Sequence, residues 1–319
     1  MRYSHWKLAC PCFYLAVFFF LAALTTGLTA DERRAPPPKF SNGSLRGIFF
    51  DDLSDAFPGK TPTLSQLRAA VTASIKAAET QPKEAAEASN GLWSALISPT
   101  TIEDEVKRIR LHFDSVVTKP GDFAGGGYLE ARLDLTVLAA LFAVIHEHGG
   151  DVRWKSDAAA ARDLIARTAF NCKAGSTQVY NEAKLRKADL QDLVSGGGIT
   201  AREASDGEDW STIANRSPLM EYIEQLIEEL EDASRNEASI KADSDLVKRN
   251  SELLAMIGAV LVQEGMEQAD DDDYAAHSRS MTEEAKGVTA ALERMDVDAI
   301  RKGAAAIRQR CDACHEEYR

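Results

Sequence analysis

Two stretches of this chain repeat one another over roughly a hundred residues, and no other feature constrains the fold as strongly. Trp93-Ser94 corresponds to Trp210-Ser211, and at the same offset of 117 Ile102, Val106, Ile109 and Phe113 fall on Leu219, Ile223, Leu226 and Leu230. At an offset of 116 the apolar run Leu138 to Val144 falls on Leu254 to Val260, and Gly149 falls on Gly265. Further on, Leu185-Arg186-Lys187 matches Ile300-Arg301-Lys302. A match of this length with so little drift in offset marks a duplicated domain and excludes a short-period solenoid. The glycine-rich stretch Ser195 to Gly198, with the acidic residues ahead of Trp210, reads as the linker between copies.

Each copy has the periodicity of four helices, and strand-like alternation is hard to find downstream of Thr63. In the second copy the first helix is marked by Met220, Ile223, Ile227 and Leu230, and the second by Leu246, Leu253, Ile257 and Leu261. Met281, Ala285, Val288 and Leu292 mark the third. Ile300, Ala304, Ile307, Cys311, Cys314 and Tyr318 mark the fourth. Spacings of three and four define one apolar stripe per helix, and four such helices bury their stripes against one another. The expected class is all-α: two tandem antiparallel four-helix bundles.

The last helix carries the chemistry. Cys311-Asp312-Ala313-Cys314-His315 is the C-x-x-C-H pattern of covalent c-type haem attachment. Two thiols three residues apart on a helix share a face and can add to the two vinyl groups of haem, and His315, four residues after Cys311, lies on that face as the proximal iron ligand. A zinc site would need a fourth ligand that no second Cys or His cluster supplies. A thioredoxin-like pair belongs at a helix N-terminus, where the dipole stabilises thiolate, whereas this pair closes a helix at its negative end.

The other end of the chain agrees. Arg2 and Lys7 precede an apolar run from Leu8 to Leu28, and Leu28-Thr29-Ala30 suits a signal peptidase. The run is also long enough to span a bilayer, so a cleaved signal peptide and an N-terminal membrane anchor are both open over residues 1–30. Either delivers the rest to the periplasm, where bacteria attach c-type haem. Residues 31–62 read as a linker and irregular region around Ala35-Pro36-Pro37-Pro38, residues 63–198 as the haem-free bundle and 199–319 as the haem domain. Without residues 1–30, Cys172 is the only cysteine outside the motif, which excludes a disulfide framework and makes it a small buried residue.

Charge divides unevenly. Residues 31–200 carry 22 acids and 21 bases, while 201–319 carry 28 acids and 14 bases. Such a surface repels nucleic acid and suits a redox partner with a basic patch.

A four-helix module whose last helix ends in C-x-x-C-H-x-x-Tyr-Arg resembles the cytochrome c′ family, over residues 210–319 directly and over the first copy through the repeat. The resemblance implies one covalent haem c on Cys311, Cys314 and His315, with Tyr318 and the basic Arg319 near it. It implies that a residue of the first helix faces the distal side of the iron. In low-spin members this is a methionine with a basic residue four positions earlier, and Arg216 and Met220 fit. On the residues alone Met220 is either that sixth ligand or a flexible core filler, and both remain open. Met256, Met266, Met281 and His277 are weaker candidates, with His277 expected on a solvated part of its helix. The family also implies a homodimer through the first two helices of each bundle, so the duplicated chain is expected either to form an intramolecular pseudo-dimer or to leave a surface for another subunit.

The first copy has lost the motif. Ser195 to Ile199 stand where Cys311 to His315 would fall, and Glu103 stands for Met220. His146 and His148, two residues apart, diverge on a helix and make no metal site. The expected function is one-electron transfer by an extracytoplasmic monohaem cytochrome, with gas binding at an open distal site and a scaffold with structural haem as alternatives. No residue set suggests a hydrolase or transferase, and no distal acid–base pair supports peroxidase work, so an enzyme is not expected.

Overall fold

The computed structural model describes residues 91–199 and 209–318. The expected signal or anchor segment, the proline linker, the helical face starting at Leu64 and the terminal Arg319 lie outside the described residues. Among the described residues there is no strand, so the class is all-α as expected, and no helix is long and apolar enough to cross a membrane.

A 3₁₀ turn, Leu92–Ala95, precedes α1 (Pro99–Val116), α2 (Tyr128–Glu147), α3 (Ala158–Asn171) and α4 (Thr177–Val194). A second such turn, Trp210–Thr212, precedes α5 (Arg216–Ala233), the short α6 (Glu237–Ala242), α7 (Ser244–Val260), α8 (Asp272–Glu293) and α9 (Val297–Glu317). The starts are written in the sequence. Ser98 accepts from Thr101 N with Pro99 at the first helical position, Asp271 accepts from Asp273 N and Tyr274 N, and Asp296 accepts from Ala299 N.

The two matched apolar runs become the most enclosed helices. α2 is buried continuously from Leu133 to Ile145 and α7 from Asn250 to Val260, as expected for helices apolar on nearly every side. α2 packs on α1 and α3, and α4 touches both α3 and α1. In the second half α7 packs on α5 and α8, and α9 packs on α8 and α5. The halves meet where α2 packs on α5 and α7 on α1, and their buried side chains form one continuous apolar core.

Repeat-equivalent residues touch one another across this junction. The Trp93 and Trp210 rings, both buried, lie 5.9 Å apart between centroids. Tyr222 on α5 donates its hydroxyl to Glu105 on α1, and these positions also differ by 117. Equivalent local contacts accompany them. Gly149 N donates to Ser94 Oγ at 2.9 Å, and the matching Gly265, at φ +93°, leaves no room for a Cβ against Asp209 and Ser211.

One correspondence fails. Leu185 is 60% exposed, whereas its expected match Ile300 is fully buried, so the Leu185-Arg186-Lys187 alignment with Ile300-Arg301-Lys302 does not describe equivalent positions. The physical reason lies in the inward face of α4. Tyr180, Ala183, Arg186, Leu190 and Leu193 are buried there, which turns Leu185 outward. Ser195 to Ile199 lie beyond the end of α4, whereas Cys311 to His315 lie within α9.

Candidate functional site

α9 is anchored by Ile300, Ala304 and Ile307, all buried, and by Gly303, where an added Cβ would come within 2.6 Å of Val288 Cγ2 on α8. The same stripe continues to Cys311 and Cys314, which emerge from the core into a small, partly open cleft of about 30 Å³. α5 contributes Met220, Ile223 and Glu224 to the walls, and the end of α7 contributes Leu261. α8 contributes His277, Ser278 and Met281, and α9 contributes Arg310, Cys311, Cys314 and His315.

Four sequence-predicted residues, Cys311, Cys314, His315 and Met220, therefore share one cleft although Met220 lies some ninety positions upstream. Met281 lines it too, with its Sδ 3.8 Å from Cys311 Sγ. Met256 and Met266 are buried elsewhere. His277 was expected in solvent and is instead half-buried on the cleft wall. The signal for it was present: it stands four residues before Met281, hence on the same helical face.

Both thiols are free. Burial pushes the Cys311 thiol up to about 12, and burial raises Cys314 as well. The pair is thus protonated at neutral pH at the negative end of α9, opposite to what a dithiol redox pair requires. Among the described residues no three His, Cys, Asp or Glu side chains converge to hold a metal ion by themselves. Two neighbouring thiols, an imidazole and a thioether beside apolar walls are the donor set that a covalently held porphyrin, whose ring brings its own four nitrogens to the metal, would use, and the cleft would have to open to take the ring.

The ends of the site are tied down. Tyr318 donates its hydroxyl to Asp271 Oδ1 at 2.7 Å, the same oxygen that caps α8. That bond pushes the Tyr318 hydroxyl up to about 12. Its ring packs edge-on against Tyr274 at 5.4 Å and lies 6.4 Å from the ring of His277. Arg308 on α9 reaches Glu224 at 2.6 Å and Glu231 at 3.1 Å on α5, and Arg310 reaches Glu284 on α8 at 3.3 Å. Arg216, one turn before Met220, pairs with Glu267 at 3.2 Å with its guanidinium 5.8 Å from the centre of the Tyr274 ring. None of these pairings is legible from spacing, since each joins residues of different elements.

In the first half, His146 is exposed while His148 is buried, its Nε2 3.0 Å from the Ile97 carbonyl oxygen. Cys172, just past the end of α3, is fully buried, which pushes its thiol up to about 12. Glu103, the counterpart of Met220, accepts from Arg153 N at 3.3 Å.

No known protein family, curated protein or solved structure matches the chain.

Proposed function

We propose that the protein is an extracytoplasmic monohaem c-type cytochrome of the cytochrome c′ kind, working in one-electron transfer. The observation that carries this reading is the meeting of Cys311, Cys314, His315 and Met220 on one cleft. Cys311 and Cys314 would hold the group as thioethers, His315 would ligate its metal, and Met220 would face it from α5. A bound haem supplies one reversible electron through its iron, and an imidazole–thioether pair favours the reduced state. Ile223, Leu261 and Met281 give the site apolar walls, which would limit solvent rearrangement on electron transfer.

Gas binding is the second reading, and the half-burial of Met220 beside the apolar Ile223 and Leu261 favours it. The same spectrum decides between the two. The holoprotein is recorded in both oxidation states with and without carbon monoxide. Low-spin spectra that ignore the gas support electron transfer, and a high-spin form that shifts with it supports gas binding. Met220→Leu should then open the sixth position; a variant spectrum identical to wild type would assign Met220 to packing.

We also propose that the halves are two antiparallel four-helix bundles arising by duplication and joined as a pseudo-dimer. In a two-fold interface the residues on the axis meet their own equivalents. The contacts of Trp93 with Trp210 and of Glu105 with Tyr222 have that property, which supports the reading. The periplasmic location, and the choice between signal peptide and anchor, rest on residues 1–30 alone. A basic patch on the redox partner remains a proposal from charge.

A further inference from the structure

We propose that the motif-free half positions the distal helix: a buried polar network centred on Glu105 fixes the rotation and height of α5, and with them the place of Met220 at the cleft. The proposal rests on the haem reading of α9 for its functional meaning, though the geometry stands by itself.

Met220 and Tyr222 are two residues apart, hence roughly 200° apart around α5. Met220 accordingly lines the cleft while Tyr222 is buried against α1. The Tyr222 hydroxyl donates to Glu105 and accepts from Arg108 Nη2 at 3.0 Å. The Glu105 carboxylate is 0% exposed and takes the fork of Arg108 at 2.6 to 3.1 Å. Arg249 of α7 adds a charge 3.8 Å away. One buried carboxylate on the motif-free half thus gathers partners from two helices of the other half.

A second grip lies one turn along. Asn250, fully buried on α7, donates to the Leu226 carbonyl of α5 and to Glu229, each at 3.0 Å, while Arg249 Nη2 pairs with Glu229 at 2.7 Å. A buried polar group stripped of partners is costly, and rotation or sliding of α5 would take Tyr222 from Glu105, leaving it the Arg108 fork of its own helix, while Asn250 would lose the Leu226 carbonyl and Glu229 together. Apolar packing alone tolerates such slips, whereas a buried polar network has one satisfied arrangement. A bundle serving only its own stability has no use for a carboxylate on this inward face, whose neighbours Ile102, Val106 and Ile109 are apolar. Its use is across the junction.

The test uses the full chain. Glu105→Gln removes the charge, and Tyr222→Phe removes only the hydroxyl, should the first variant fold poorly. Phe113→Leu, on the same helix but within the apolar core of the first half, serves as the control for general destabilisation. Amide hydrogen exchange over residues 216–224 and carbon monoxide association with the reduced holoprotein are measured at matched stability. Loss of one hydrogen bond to a charged group corresponds to about a tenfold shift. Exchange in 216–224 and the association rate should both rise by about that factor in Glu105→Gln, and neither should rise in Phe113→Leu. Unchanged exchange in both network variants, or an equal rise in Phe113→Leu, overturns the proposal. The exchange measurement is repeated in the Cys311→Ala, Cys314→Ala chain. There a persisting effect upholds positioning even if the wild type carries no haem, so failure of the haem reading and failure of this one give different results.

Discussion

Gly258 and Gly287 offer a paired measurement of how tightly α8 closes on the cleft. A Cβ at Gly258 of α7 would stand 2.4 Å from Thr282 Oγ1, 3.0 Å from Met281 Cε and 3.0 Å from the Ser278 carbonyl oxygen. Ordinary contact begins near 3.4 Å, so the Ser278 to Thr282 turn of α8 must withdraw by about 1 Å or Thr282 must give up its bonds to Ala255 and Ser278. Overpacking of this kind costs about 1–3 kcal/mol, and a lost hydrogen bond adds about 1 kcal/mol. The gain in helix propensity on replacing glycine by alanine offsets about 1 kcal/mol. Gly258→Ala should therefore destabilise by about 1–3 kcal/mol. At Gly287 on α8 a Cβ meets nothing within 4 Å, so Gly287→Ala should stabilise by about 1 kcal/mol. At about 2–4 °C per kcal/mol the two variants should move Tm in opposite directions, read by calorimetry and denaturant titration. Because Ser278 and Met281 line the cleft, only Gly258→Ala should alter the spectrum of a bound chromophore. Stabilisation by both alanines would show that α7 and α8 are not in the close contact from which these magnitudes follow.

Changing Cys311 and Cys314 together to alanine should abolish covalent haem; a haem-staining band surviving denaturing electrophoresis of that variant would refute the attachment. The acidic second half should associate faster with a basic redox partner at low salt than at physiological ionic strength, where screening limits the reach to about 8 Å, and a salt-independent rate would reduce Asp270 to Asp273 to a solvated face. His112 Nδ1 lies 2.7 Å from the buried Asp134 Oδ2, and that hydrogen bond raises the imidazole above its usual range, with Glu130 assisting and Arg108 opposing. A raised folded value means the contribution is fully present below the unfolded value of about 6.5 and is lost as pH rises through the folded one. The destabilisation caused by His112→Gln, followed by urea titration, should accordingly shrink as pH rises through the raised imidazole value, and a cost independent of pH would contradict the pairing.

The helical class, the repeat and the placement of the motif at the end of a helix were legible in the residues. All three are local or self-referential signals: periodicity of 3.6, matched positions, and a pentapeptide. Matching by sequence broke down at Leu185, because a single shared basic pair does not determine which face of α4 turns inward. His277 was assigned to solvent for a related reason. Its polarity argued for exposure, while its spacing from Met281 argued for the cleft, and packing against α9 decided in favour of spacing.

The sequence by itself determined which side chains are candidates for chemistry and which faces are apolar, since both depend on side-chain type and on spacings within one helix. Only the tertiary structure decided which faces meet. It brought Met220 to Cys311, tied Tyr318 to the cap of α8, and joined Glu105 to its own repeat equivalent. An apolar stripe can bury itself against any other apolar stripe at similar gain, because the hydrophobic effect has no direction. The choice among partners falls to shape at close contacts such as Gly258 against Thr282, and to buried polar groups that have one satisfied arrangement. Such pairings join residues as far apart as Ser98 and Glu252, 154 positions, and no local pattern records them.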